Sequence, residues 1–250
     1  DMTSSRGLGD VYKRQVLAML GFAIEDSLIR IISSVIPFGQ VLSLFGLGGA
    51  LIFALLCKLK KQQLFLAEVI SRPMVLRMFF ELIGRLFYSV SLILMPISLV
   101  TLVLQATPIF VVTGAAFLFK EAVGVLRWIA ILSGLLGVVF IIQPTSESFS
   151  PYVIFAILGM LGFAGRDLGS RAASPIISDN HLGFYGFVAV TVAGLIYSGW
   201  AGAAYVPLSI GTLVYILSLI FVGCFSYFAL MKAMRIGDVS FVTPFGYTRI

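Results

Sequence analysis

Two stretches of this chain carry charge where an apolar helix should carry none. Leu20-Gly-Phe-Ala-Ile-Glu25-Asp26-Ser-Leu-Ile-Arg30-Ile-Ile-Ser33 lies inside the first long apolar run. Leu161-Gly-Phe-Ala-Gly-Arg166-Asp167-Leu-Gly-Ser-Arg171-Ala-Ala-Ser174 repeats it later, with Leu, Gly, Phe, Ala, Asp, Arg and Ser at the same places. Each copy sets an arginine four residues after an aspartate, which puts both on one helix face. Asp26 can thus be partly neutralised by Arg30, and Asp167 by Arg171. A charge at the middle of a membrane helix costs roughly 2.5–3.5 kcal/mol on insertion scales, so such residues mark solute or proton sites by default. The competing reading is a structural ion pair between helices.

The copies differ where Glu25 stands opposite Arg166, and the expectation is that these two face each other across the repeat interface. A third run places Arg77, Glu81 and Arg85 at steps of four, on one face. Arg77 is expected to snorkel to the surface. Glu81 and Arg85 are expected to line a cavity. Thr107-Pro108 and Thr243-Pro244 interrupt two apolar runs. Proline lacks the N–H and clashes with the preceding turn, so these sites are candidate hinges that bare carbonyls to a solute. A tolerated kink is the alternative. No His–carboxylate cluster, metal-ligand spacing, phosphate-binding glycine loop or Ser/His/Asp set is present, so neither an enzyme, a cofactor nor a metal is expected. Cys57 and Cys224 offer no disulfide framework, and the lone His181, in a loop, offers no ligand set.

These charges must be positioned by lipid-embedded elements. Hydrophobic residues make up 60% of the chain, charged residues only 11%, and the mean hydropathy is +1.08. A soluble domain carries about 25% charged residues. The bilayer is therefore the solvent for most of the chain. The net charge of +6 does not imply nucleic acid, because the basic residues are scattered through loops.

The expected spans are 16–36, 40–57, 74–94, 97–119, 126–142, 152–177, 182–205 and 212–231, with a ninth starting near Asp238. Residues 1–15 are polar and aperiodic and read as a non-native leader; the far end reads as cut inside the ninth helix. Lys58, Lys60, Lys61, Arg72, Lys120, Arg127, Lys232 and Arg235 fall in loops on one side, and the loops on the other side hold no Lys or Arg. The positive-inside rule then puts the N-terminus in the cytoplasm. Five spans precede the second copy, so it enters the membrane from the opposite side, as in the inverted repeats of secondary transporters. Ala130, Gly134 and Gly137 give small-residue spacing for close packing, between the halves or in a homodimer.

The chain resembles the EamA-type transporters of the drug/metabolite transporter superfamily. The resemblance rests on Met19 to Asp26, on Ala106-Thr-Pro108-Ile-Phe110 leading to Lys120-Glu121 and Arg127, and on Gly237 to Arg249. It implies an all-α integral membrane fold, an inverted repeat of five-helix bundles. Residues 16–144 would form the first repeat and 151–250 an incomplete second one. It also implies a secondary transporter moving a small organic solute across the cytoplasmic membrane by alternating access. Proton coupling would run through Asp26, Asp167 or Glu81. An integral membrane enzyme would put its polar cluster near one interface instead, and a membrane sensor or assembly protein would carry a soluble segment.

Overall fold

The computed structural model describes residues 5–142 and 150–236. Helices dominate: α1 Ser5–Ser33, α2 Phe38–Leu59, α3 Arg72–Leu94, α4 Ile97–Leu104, α5 Thr107–Phe119, α6 Val125–Ile142, α7 Val153–Ala172, α8 Asp179–Ala201 and α9 Ile210–Ile236. A short 3₁₀ turn, Ala67–Ile70, precedes α3. No strand occurs among the described residues. Five stretches are long and apolar enough to cross a membrane: Phe38–Leu59, Ile97–Phe119, Val153–Ala172, Asp179–Ala201 and Ile210–Arg235. The chain is a multi-pass α-helical membrane protein.

Local chemistry sets the helix ends. Pro37 and Pro96 precede α2 and α4, and Pro73 opens α3, where a missing N–H costs nothing. Gly202, in the left-handed region at φ 62°, closes α8. The start of α1 differs from the expected one at Val16. The helix runs back to Ser5, because no proline interrupts 5–15 and a nucleated helix extends at low cost.

Each helix divides its faces between lipid and protein. On α2 the exposed stripe is Leu47, Leu51, Leu55 and Leu59, at steps of four. The opposite face carries Gly39, Gly46 and Gly49 against α8. There a Cβ on Gly46 would come within 2.4 Å of the Thr191 backbone nitrogen, so only glycine allows the approach.

The tightest helix pairs are α2 with α8, α3 with α7, and α1 with α9. Along α2, Gly39 meets Ser198, Gly46 meets Thr191 and Gly49 meets Phe187, so the two helices run antiparallel. Because α2 and α8 are the helices that directly follow the two motif copies, their opposed directions make the repeat an inverted one. The other pairs obey the same two-fold. Gly21 of α1 packs on Ser226 of α9, while Gly162, its counterpart in α7, packs on Gly84 of α3.

The two ends of the α2·α8 pair are tied in the same manner. Gln40, in the first turn of α2, bonds both the N–H and the C=O of Val206, at 2.9 and 2.8 Å. His181, in the first turn of α8, bonds the Gln63 carbonyl at 2.8 Å and completes a capping box with Ser178. His181 is therefore a helix-start residue rather than a loop residue, held through both ring nitrogens.

Candidate functional site

The site is built from α1, α3, α7 and α9. The tight α3·α7 packing at Gly84 and Gly162 brings the long side chains around it into one layer. Arg85 Nη1 lies 3.2 Å from Glu25 Oε1, and Arg85 Nε lies 3.7 Å from Glu81 Oε1. Arg166 Nη1 reaches the same Glu81 oxygen at 3.6 Å, and Arg166 Nη2 reaches Asp167 Oδ1 at 2.8 Å. The result is a chain of alternating charge, Glu25–Arg85–Glu81–Arg166–Asp167, that joins both motif copies through α3. Three arginines, at 77, 85 and 166, are buried here with three carboxylates, Glu25, Glu81 and Asp167. That balance is what lets the cluster exist away from water.

Glu81 is the hub and is fully buried. Tyr227 of α9 donates its hydroxyl hydrogen to Glu81 Oε2 at 2.6 Å. Arg77 donates in turn to the Tyr227 hydroxyl, to Ser170 Oγ at 2.9 Å and to the Leu182 carbonyl at 2.8 Å. The expected snorkelling of Arg77 is therefore corrected: the residue is 0% exposed, because α7, α8 and α9 close over it. Phe163 carries two of the cations on its ring, Arg166 at 5.0 Å and Arg85 at 5.7 Å.

The expected pairing of Asp167 with Arg171 is also corrected. Asp167 is met by the adjacent Arg166, and Arg171 donates instead to the Arg235 carbonyl at 2.8 Å. Asp26 accepts from the Tyr88 hydroxyl at 3.2 Å, while Arg30 points to the exposed side of α1. Neither Arg30 nor Arg171 lines the cavity, and the expectation that Glu81 lines it is corrected too, since Glu81 is sealed within the network.

A cavity of about 850 Å³, counted with its open mouth, lies against this network. Glu25, Asp26, Arg85, Arg166 and Asp167 form its charged wall. Glu25 and Arg166 share it, each bound to the Arg85–Glu81 pair between them. Facing them are Thr101, Gln105, Thr107 and Pro108. Here the expected single span 97–119 is broken between α4 and α5. Pro108 cannot donate to the Leu104 carbonyl, and the Thr107 hydroxyl takes that bond instead. The other pair, Thr243 and Pro244, lies outside the described residues.

Sequence reasoning missed Tyr227, Phe163, Ser170 and Gln105. Phe163 left a usable signal, since Phe22 and Phe163 recur in both motif copies and both line the cavity. A polar Gln105 beside Thr107-Pro108 left a weaker one. Tyr227 and Ser170 left none that spacing could pick out.

The comparisons bear on this geometry. No family model matches the chain. It is similar to the S-adenosylmethionine uptake transporter of Rickettsia prowazekii (strain Madrid E), 26% identical over 186 residues, covering 72% of this chain and 61% of that protein. The S-adenosylmethionine uptake transporter of Rickettsia bellii (strain RML369-C) is 23% identical, with 72% and 62% covered. The riboflavin transporter of Vibrio cholerae serotype O1 is 26% identical over 152 residues, with 59% and 49% covered. The chain thus spans about three fifths of the length of the Rickettsia relatives it matches. A solved crystal structure superposes with a TM-score of 0.80, covering 96% of this chain and 84% of that one at 18% identity. That likeness shows the fold. These relatives are membrane transporters of small solutes, and none is named as an enzyme.

Proposed function

We propose that this chain belongs with the EamA-type transporters of the drug/metabolite superfamily. It moves a small organic solute across the cytoplasmic membrane by alternating access around the charged wall of the central cavity. The observation that carries this reading is the Glu25–Arg85–Glu81–Arg166–Asp167 chain of charges. It links helices of both inverted units and borders the cavity. Buried opposite charges that can exchange partners give two arrangements of similar energy, which rocking between two states requires.

The broken helix α4–α5 supplies a hinge on the opposite wall. Lys58, Lys60, Lys61, Lys232 and Arg235 gather at the ends of α2 and α9, which supports a cytoplasmic N-terminus. Exposed Ala130 and Gly137 on α6 leave room for a second copy of the chain. Asp26 is the group best placed to carry a coupling proton, since it is half-buried in the cavity whereas Glu81 is sealed.

The test is counterflow in liposomes, with S-adenosylmethionine and riboflavin as first solutes because relatives are named for them. Accumulation of either by the reconstituted chain supports the reading. An imposed pH gradient then tests the proton. Unchanged coupling in Asp26→Asn would remove Asp26 from that role.

A further inference from the structure

Gln105 sits where α4 ends, one residue before Ala106-Thr107-Pro108. Its backbone is fixed, with its N–H bonded to the Thr101 carbonyl at 3.0 Å. Its side chain lines the cavity and is 5% exposed. Its Nε2 has no hydrogen-bond partner among the described residues. A buried amide N–H without a partner costs free energy that a ligand's acceptor can return. No group of the network bonds it: Arg77, Arg85 and Arg166 donate to Ser170, Glu25 and Asp167 instead.

The two walls of the cavity therefore read different chemistry. Charges on α1, α3 and α7 suit a charged or strongly polar part of a solute. Phe22 and Phe163 add apolar ring surface. A primary carboxamide presents a donor and an acceptor side by side in one plane. Its best complement is another planar edge with an adjacent acceptor and donor, as glutamine finds in adenine.

Resting on the transport reading above, we infer that Gln105 is the specificity-determining contact of this cavity and selects a solute bearing a planar amide-like or aminopurine-like edge. The helix break holds that amide at the cavity wall, and the charged wall opposite plays no part in reading the edge.

The experiment measures binding to the purified chain by calorimetry, with two probes that differ in one group. Adenosine carries the N7 acceptor that the unpaired Nε2 of Gln105 needs, and 7-deazaadenosine lacks it. The wild-type chain is expected to bind adenosine about tenfold more tightly, the size of one lost bidentate partner. In Gln105→Met, which keeps length and removes the amide, the ratio should fall to about one. Gln105→Asn, which keeps the amide and withdraws it, should give an intermediate ratio. Thermal unfolding of Gln105→Met should not drop, because an unsatisfied buried amide is replaced by an apolar group. An unchanged ratio in Gln105→Met, no preference in the wild type, or no binding of either probe would each overturn the inference. So would a large loss of thermal stability, which would mark Gln105 as structural. Counterflow of an unrelated solute could still succeed in those cases, so the two readings fail separately.

Discussion

Tyr227 donates to Glu81 across 2.6 Å, joining α9 to the hub of a network otherwise assembled from α1, α3 and α7. One hydroxyl serves two masters there, since Arg77 donates to the same oxygen. Tyr227→Phe removes a donor from a buried carboxylate and an acceptor from a buried guanidinium. Leaving such groups unsatisfied costs about 1–3 kcal/mol. Thermal unfolding in detergent should show a clearly lower midpoint, and an unchanged midpoint would contradict the assignment.

Glu81→Gln should cost more. It deletes the anion shared by Arg85 and Arg166 and leaves three buried arginines against two carboxylates, Glu25 and Asp167, a loss of roughly 3–5 kcal/mol. The same unfolding assay checks it, and the expected order is Glu81→Gln below Tyr227→Phe below wild type.

Arg77→Lys separates the buried position from a snorkelling one. A lysine at the surface would substitute freely. In the structure the guanidinium spans Ser170, the Leu182 carbonyl and Tyr227 at once, which a single ammonium cannot do. The variant should lose about 1–3 kcal/mol of stability. Equal stability would return Arg77 to the surface.

Much of this site was legible beforehand, and the reasons for the rest are specific. Charges inside apolar runs are rare enough that Glu25, Asp26, Glu81, Arg85, Arg166 and Asp167 announce themselves. The inverted order of helices follows from counting spans. Partner choice did not follow from spacing. Asp167 could reach Arg171 one turn on, yet the flexible arm of Arg166 folds back onto it while Arg171 is drawn to the end of α9. Arg77 lies in the second turn of α3, close after a basic loop, so its burial depends on residues far away in sequence, Ser170, Leu182 and Tyr227. Local pattern does not encode such tertiary cover.

Gly46→Val tests the α2·α8 contact on which the inverted pairing rests. Its Cβ would lie 2.4 Å from the Thr191 backbone nitrogen and 2.5 Å from Thr191 Oγ1, and backbone cannot retreat as a side-chain tip can. The helices must part, so unfolding should come several degrees lower, on the order of 1–3 kcal/mol. Wild-type stability would mean the helices do not approach as described.

Pro108→Ala restores an N–H that can bond the Leu104 carbonyl and heal the break between α4 and α5. The variant should be more stable and slower in counterflow, since a continuous helix resists hinging. Faster or unaltered transport would deny the break a role.

The measurement that meets the central claim most directly is solute counterflow for a charge-reversal cycle on Glu25 and Arg85, which lie 3.2 Å apart on the cavity wall. Glu25→Arg and Arg85→Glu, each alone, should reduce transport at least a hundredfold, and the double reversal should recover a substantial part of it. Single variants that transport at the wild-type rate while folded would show that the solute does not travel past this pair.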